Sequence, residues 1–357
     1  MKYVLNLKNE EEIKIYEDFT SKHPNGNFMQ SIHWADVKSN WNREAIVITD
    51  ENGDIKASAL LLIKKIPIIG RSFFYCPHGP VCDYHDRETL SELLEAINEL
   101  ADKYRAYQLK FDPCITESDE AEIKMFESLG FTYTANAPEL TTIQARNNYM
   151  LFFNGRTKEE LFAAFHKKWR YNIRVAEKHG VECKVCGKEA LDDFYELMIE
   201  TGKRDGFPIR KRSYFEKMLD QLGDSCHLYM CYLGDTALSG AVCVNYAGKS
   251  CYVYGASTAR LRNVMPNYLM QWKMICDACD SGCTVHDFQG IPFYTDESHP
   301  NYGVYRFKKG FNGEVVTYAG EFDISYRPAV RKLSDIVSKI RGKIRRLQSL
   351  RLLHKRG

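Results

Sequence analysis

The residues able to do chemistry on a charged substrate fall in a few short segments. Phe111-Asp112-Pro113 ends a strand-like run and sets a carboxylate at a strand's C-terminal edge, where α/β sheets open their clefts. By itself, Asp-Pro is only a turn starter. In Gln30-Ser31-Ile32-His33-Trp34-Ala35-Asp36-Val37-Lys38-Ser39-Asn40-Trp41, the residues Trp34, Val37 and Trp41 share one face at helical spacing, with Lys38 beside it. An amphipathic helix with a solvated lysine satisfies the same pattern. Arg210 and Tyr214 stand four apart and share a face if a helix begins near Pro208. Tyr252-Val253-Tyr254-Gly255 comes next. The densest stretch is Asp287-Phe288-Gln289-Gly290-Ile291-Pro292 with Gly303-Val304-Tyr305-Arg306-Phe307-Lys308-Lys309-Gly310-Phe311.

Two further patterns have competing readings. Cys183/Cys186 and Cys276/Cys279 are Cys-x-x-Cys pairs of the kind that bind zinc. However, Cys276, Cys279 and Cys283 repeat at i, i+3, i+7, the spacing of a buried helix face, and no metal is expected. His166-Lys167-Lys168-Trp169-Arg170-Tyr171-Asn172-Ile173-Arg174 suits contacts to RNA phosphates or a membrane surface. It suits equally a solvated helix face with Trp169 and Ile173 turned inward.

The frame for these segments repeats itself. Strands at Glu44–Thr49 and Ile55–Ile66 flank the turn Asp50-Glu51-Asn52-Gly53, followed by a helix over Arg87–Tyr104, a strand at Tyr107–Phe111, a helix ending in Met125-Phe126, and a Leu129-Gly130-Phe131 lead into another strand. The second half runs Cys226–Leu233, Ala237–Tyr246, Lys249–Tyr254, a helix over Pro266–Asp280, a strand at Thr284–Phe288, a short helix into Lys309-Gly310-Phe311, and a strand at Glu314–Tyr318. Both halves suit a mixed α/β sheet with helices on its faces, in the order of GNAT-type acyltransferase folds. The expected organisation is two tandem GNAT-like domains: 1–150 completed by 318–328, then 151–317, then a basic amphipathic helix over 329–357.

Composition narrows the class. A chain of 357 residues with 44% hydrophobic content has material for two cores and is not a disordered polymer. Its net charge of +2 hides an asymmetry: between Arg327 and Gly357 stand eleven basic residues and one acid, leaving 38 basic and 46 acidic residues elsewhere. An acidic body thus carries a basic tail. The charged N-terminus is unlike a secretory signal, and Ala57–Ile63 is too short to span a bilayer. Twelve cysteines without a signal suit a reducing compartment. A cytoplasmic location, with peripheral contact at the inner face of the plasma membrane, is expected.

Taken in order, the Gln-Ser-x-x-Trp-x-x-Val-Lys-x-x-Trp segment, the Gly79-Pro80-Val81 loop, the Asp112-Pro113 strand end and the closing Phe307-Lys308-Lys309-Gly310-Phe311 resemble the FemABX family. These are aminoacyl-tRNA-dependent peptidyltransferases that build the cross-bridge of bacterial peptidoglycan, and the resemblance reaches to about residue 325. Similarity to the arm-less, FemX-like members implies a muramyl-pentapeptide precursor in a groove of the first domain. Lys38 matches a lysine on its diphosphate, and Arg210 and Tyr214 match residues reaching the same substrate from the second domain. Tyr107 and Asp112 match a tyrosine and an aspartate beside the acceptor, and Tyr254 a further substrate tyrosine. Lys308 matches the catalytic lysine and Phe307 its aromatic neighbour. One departure is His78, where many relatives carry Arg before Gly-Pro. A long helical arm, common in relatives, has no room between Glu189 and Leu222.

The implied reaction is aminolysis of the ester joining an amino acid to tRNA. A stem-peptide amine with a pKa of about 10.4 must lose its proton to attack. A preorganised ammonium such as Lys308 would stabilise the tetrahedral oxyanion, and Lys38 with Arg210 would give a diphosphate a point charge and a fork. Asp112 is the candidate proton acceptor or orienting group. No cofactor is required beyond aminoacyl-tRNA as co-substrate. Alternatives are a GNAT-fold acyltransferase with another donor or acceptor, and a non-catalytic relative that binds membrane or nucleic acid. No Gln/Arg-x-x-Gly-x-Gly/Ala loop for a coenzyme A pyrophosphate is evident. The tail from Pro328 repeats Val330, Leu333, Val337, Ile340, Ile344 and Leu347 under a basic face, which suits an anionic membrane, tRNA, or packing on the body.

Overall fold

The computed structural model describes residues 1–334 and 336, apart from 67, 68, 136 and 139. Most of the predicted basic tail therefore lies outside the described residues, although residues 328–334 are helical from Pro328 onward.

The first half forms β1 (Lys2–Val4), α1 (Glu10–Lys22), α2 (Ile32–Val37), β2 (Asn42–Thr49), β3 (Ile55–Ile66), β4 (Arg71–Cys76), β5 (Val81–Cys82), α3 (Arg87–Lys103), β6 (Ala106–Phe111), α4 (Glu120–Ser128) and β7 (Thr132–Tyr133). The second half forms β8 (Asn147–Phe152), α5 (Lys158–Ala164), α6 (Lys167–Lys178), β9 (Glu182–Cys186), α7 (Leu191–Asp205), α8 (Arg212–Leu222), β10 (Cys226–Leu233), β11 (Thr236–Tyr246), β12 (Lys249–Ser257), α9 (Pro266–Asp280), β13 (Val285–Gly290), α10 (Tyr302–Lys309), β14 (Glu314–Thr317) and β15 (Phe322–Ser325). One sheet has the order β1-β2-β3-β4-β6-β15-β7, with β5 on β3. The other has the order β14-β8-β13-β12-β11-β10-β9. The chain thus returns from the second sheet to the first between β14 and β15.

Each sheet holds one parallel pair joined by a helix: β4 with β6 across α3, and β12 with β13 across α9. A parallel pair requires such a crossover, and the long apolar stripes of α3 and α9 supply the faces that cover the sheets. Beyond Cys251 opposite Asp287, β12 runs on without β13 beside it. That opening places the end of β13 against a gap rather than a neighbouring strand.

The halves are joined by a shared core. Phe28, Met29, Trp34 and Val37 of the first half pack with Phe194, Phe215, Met218 and Leu228 of the second. Glu17 of α1 reinforces this seam, accepting from Ile32 N at 2.6 Å, Ser31 Oγ at 3.0 Å and Tyr246 Oη at 2.9 Å.

Three sequence expectations change. The helix expected to carry Trp34, Val37 and Trp41 together ends at Val37, so Trp41 packs with Leu5, Tyr16 and Ile32 in a different core. Lys38 follows as the C-terminal cap. Secondly, α8 starts at Arg212, and Arg210 precedes it instead of sharing its face with Tyr214. Thirdly, Cys283 lies past the end of α9, so it does not extend the face of Cys276 and Cys279.

Candidate active site

A groove of about 960 Å³ runs along the seam, lined by Lys38, Trp34, Trp41 and Tyr75 from the first half and by Arg210, Lys211, Tyr214, Lys217, Tyr254 and Gln289 from the second. Among its described lining residues are four cations and no carboxylate. The seam core explains why they meet: α2 packs on α8, so its capping lysine arrives over the start of α8. Lys38 Nζ donates to Tyr214 Oη at 2.9 Å and lies 4.0 Å from the Trp34 ring centre. The Arg210 guanidinium stacks over Tyr214 at 5.2 Å despite lying outside the helix. Tyr254 meets Tyr214 edge-on at 6.1 Å. Burial, and then the nearby Arg210 charge, push the Lys38 ammonium down to about 7. A site that depresses its own cation is short of an anion.

The motif residues around Lys38 have structural duties. Ser31 caps α2 by accepting from His33 N at 3.1 Å. Gln30 is buried and ties three pieces together: its Nε2 donates to Pro77 O at 2.7 Å, its Oε1 accepts from Leu60 N at 2.8 Å, and its carbonyl accepts from Tyr16 Oη at 2.9 Å. Gly79 packs so tightly on Gln30 that a Cβ would come within 2.5 Å of it. The Gln-Ser segment and the Gly-Pro loop are therefore one assembly.

Asp112 follows β6 and is buried. Its Oδ1 accepts from His78 N at 2.6 Å, and its Oδ2 accepts from Tyr75 Oη at 2.5 Å. Gln144 Nε2 donates to the same Tyr75 hydroxyl at 3.0 Å. Desolvation raises the Asp112 carboxyl to about 6, against the opposing effects of His78 and Tyr75. Asp112 is not among the groove-lining residues, whereas Tyr75 and Gln144 are. Neither was singled out from sequence, because a Tyr in an apolar strand and a Gln in a loop carry no spacing signal.

Lys308 sits near the end of α10 and is only 6% exposed. Its Nζ donates to Gln289 O at 3.0 Å and to Gly290 O at 2.8 Å. Burial pushes the ammonium down to about 7, while the Asp287 carboxylate pulls it back up. Gln289 lines the groove, so Lys308 stands directly behind the groove wall. Phe307 stacks edge-on with Tyr268 and Phe311, and its carbonyl accepts from Trp169 Nε1 at 2.8 Å. It anchors α10 to α6.

Tyr107 packs its ring on Phe73, which meets groove-lining Trp41 and Tyr75 in turn. It lies near the start of β6, about 16 Å of extended chain from Asp112. Its hydroxyl meets Ser334 Oγ at 3.0 Å, and it is not among the groove-lining residues. His78 is 9% exposed, and its Nδ1 has no partner among the described residues.

The chain matches the model of the FemAB family over residues 12–237 and 232–339. It belongs to the FemAB family. Lipid II:glycine glycyltransferase of Staphylococcus epidermidis is 30% identical over 388 aligned positions, covering 89% of this chain and 92% of that protein. The Staphylococcus aureus protein of the same name is 28% identical, covering 86% and 90%. Because those 388 positions exceed the 357 residues of this FemAB chain, the relative carries extra residues within the match. A crystal structure of FemX superimposes with a TM-score of 0.85 at 26% identity, covering 93% of this chain and 99% of that one. A tandem GNAT protein from clavulanic acid biosynthesis shares the fold, with a TM-score of 0.53 at 10% identity over 91% of this chain. Two GNAT-like modules in series, with mixed sheets, are the architecture of this FemAB protein.

In the second module the interval from Glu189 to Leu222 is filled by α7 and α8 joined by a short link, as a chain without an arm requires. Exposed Lys167, Lys168 and Arg174 stud α6, while Ile173 is buried and Trp169 packs on Gly310. No described helix is long and apolar enough to cross a membrane. Among the described residues, no group of three or more His, Cys, Asp or Glu is arranged around a common point for a metal ion.

Proposed function

We propose that this protein is an aminoacyltransferase that moves an amino acid from aminoacyl-tRNA onto an amine of the stem peptide of a peptidoglycan precursor. The observation that carries this reading is the seam groove: four cations and no carboxylate at its described walls, with Tyr75 and Gln289 in those walls and Asp112 and Lys308 hydrogen-bonded behind them. A diphosphate suits Lys38 and Arg210, whose point charge and planar fork serve its oxygens. The names of the staphylococcal relatives support lipid II as the acceptor and glycine as the first amino acid to test.

In this scheme the acceptor amine attacks the ester carbonyl, the new C–N bond forms, and the ester C–O bond breaks. An ammonium has three N–H donors, and Lys308 uses two on carbonyls. The third is left for the developing oxyanion, a contact whose removal costs on the order of 10²–10³ in rate. Tyr75 carries the path from the groove to Asp112, which takes the amine's proton; the departing tRNA hydroxyl takes up a proton in turn. The exposed cations of α6 border α10 through Trp169 and suit the phosphates of the donor RNA.

The deciding experiment offers charged total tRNA, with acetyl coenzyme A as a control donor, to both UDP-linked and lipid-linked precursors and reads the products by mass. One added aminoacyl residue is expected, and Lys308→Met should abolish it while leaving precursor binding intact. Transfer from acetyl coenzyme A alone, or full turnover by Lys308→Met, would refute the reading.

A further inference from the structure

Lys308 is held by main-chain carbonyls, and those carbonyls belong to an unusual turn. Gln289 has φ of +63°, a left-handed conformation that costs a non-glycine residue on the order of 1 kcal/mol or more. The register of β13 on β8 breaks between Asp287 and Gly290, at the point where β12 has already parted from β13. Neither neighbouring strand therefore shapes this turn through regular pairing. A strained turn persists only where something else specifies it. Here that is one buried carboxylate: Asp287 Oδ1 accepts from Gln289 N at 2.6 Å, and Oδ2 accepts from Gln289 Nε2 at 2.8 Å and Asn148 Nδ2 at 3.1 Å.

We propose that Asp287 is a positioning residue for Lys308: its carboxylate clamps the Gln289 turn so that two carbonyls aim the lysine at the groove wall, and its charge favours the lysine's protonated form. The carboxylate grips the residue whose carbonyl grips the ammonium, so both ends of the clamp meet at Gln289. This role rests on the reading that Lys308 acts in aminoacyl transfer.

Several other groups face the pair. His286, on the same strand, is buried between Ser250 Oγ at 3.1 Å and Gln271 Oε1 at 3.3 Å. Desolvation, with the Lys308 charge adding to it, drives its imidazole down to about 3, so it is neutral near pH 7. Burial raises the Asp287 carboxyl itself, opposed by the hydrogen bond from Gln289 N, the Lys308 charge, the Asn148 amide and, least, His78 from the loop after β4. The Cys114, Cys251 and Tyr318 side chains feel the Asp287 charge, and burial holds all three neutral. Asp287 is thus the carboxylate that sustains the Lys308 charge.

Asp287→Asn keeps the shape and an acceptor for Gln289 N, but removes the charge. Because the carboxylate raises the affinity of Lys308 for its proton, its loss moves the lysine's titration to lower pH. The Nζ shift of Lys308 in ¹⁵N-lysine-labelled protein, assigned by its disappearance in Lys308→Met, reads this without turnover. A downward move of half a pH unit or more is expected. In the transfer assay kcat should fall tenfold or more, its alkaline limb should move down in parallel, and KM for the precursor should stay within about twofold. Gln289→Ala, which removes one of the three donors to the carboxylate, should lower kcat in the same direction by less. Unmoved titration and alkaline limb in Asp287→Asn, or unchanged kcat in Gln289→Ala if Asp287→Asn does not fold, overturn the proposal. Should the wild type show no transfer while the Nζ titration still moves, the functional reading fails and the clamp stands.

Discussion

Two lysines here are held near the midpoint of their titration at neutral pH, and burial is the first cause for both. For Lys38 the consequence is a pH-dependent affinity. In the empty groove its proton is half lost near pH 7, and a bound diphosphate restores it. Binding should therefore take up a proton above pH 7, and affinity should fall by up to about tenfold per pH unit there. Calorimetry of precursor binding in buffers of different ionisation heat checks this. Lys38→Arg, always charged, should flatten the curve, and a flat wild-type curve would contradict the assignment. For Lys308 the consequence is instability. An amine whose folded pKa lies below its unfolded value of 10.5 weakens the fold, fully so below about pH 7, and the penalty fades as pH rises toward 10.5. Lys308→Met should thus raise the melting temperature near neutral pH while abolishing transfer, a gain on the order of a few kcal/mol at most. A lower melting temperature would mean that the two carbonyl contacts outweigh the burial.

At the scale of elements, α10 matters because eight residues place the lysine, and so short a helix depends on its neighbours. Its anchor is α6: the Trp169 indole donates to Phe307 O and lies against Gly310, where a Cβ would meet the ring at 2.1 Å. Gly310→Ala should destabilise by about 1–3 kcal/mol and lower kcat more than precursor affinity, since the groove cations sit on other elements. Thermal melts paired with kcat and KM test it; an equal loss of both kinetic terms would place the damage elsewhere. The Gly-Phe motif legible after Lys308 is thus explained by the ring packed against it.

At the scale of the whole molecule, equivalent strands of the two modules each carry a buried aspartate toward their C-terminal half, Asp112 just after β6 and Asp287 within β13, where its regular pairing stops. Each accepts a main-chain N–H from a residue with positive φ, His78 or Gln289. The repeat therefore has a chemical as well as a topological side. The exposed α6 cations add a surface beside the lysine-bearing helix. Reversing Lys167, Lys168 and Arg174 to Glu should weaken tRNA binding and reduce its salt slope by about one unit per lost phosphate contact. Unchanged slopes in a filter-binding titration would remove α6 from the donor surface. Binding to anionic vesicles, measured alongside, separates an RNA face from a membrane face.

Local pattern sufficed for much of this molecule. The β2–β3 hairpin, the helices over 87–103 and 266–280, and the order of the motifs all follow from periodicity and turn chemistry between neighbours in the chain. Lys38, Asp112, Arg210 and Lys308 stood out because they sit in recognisable segments. What spacing did not carry was the company each keeps. Lys38 reaches Tyr214 across 176 residues because a seam of buried apolar side chains brings α2 onto α8. Tyr75 and Gln144 became visible only as hydrogen-bond partners, Asp287 and Gln289 stood in a legible segment but without a role, and Tyr107 parted from Asp112 because a strand is stiff and extended. Local periodicity depends on residues a few places apart, whereas burial and the proton affinities it sets depend on whatever the folded chain places alongside.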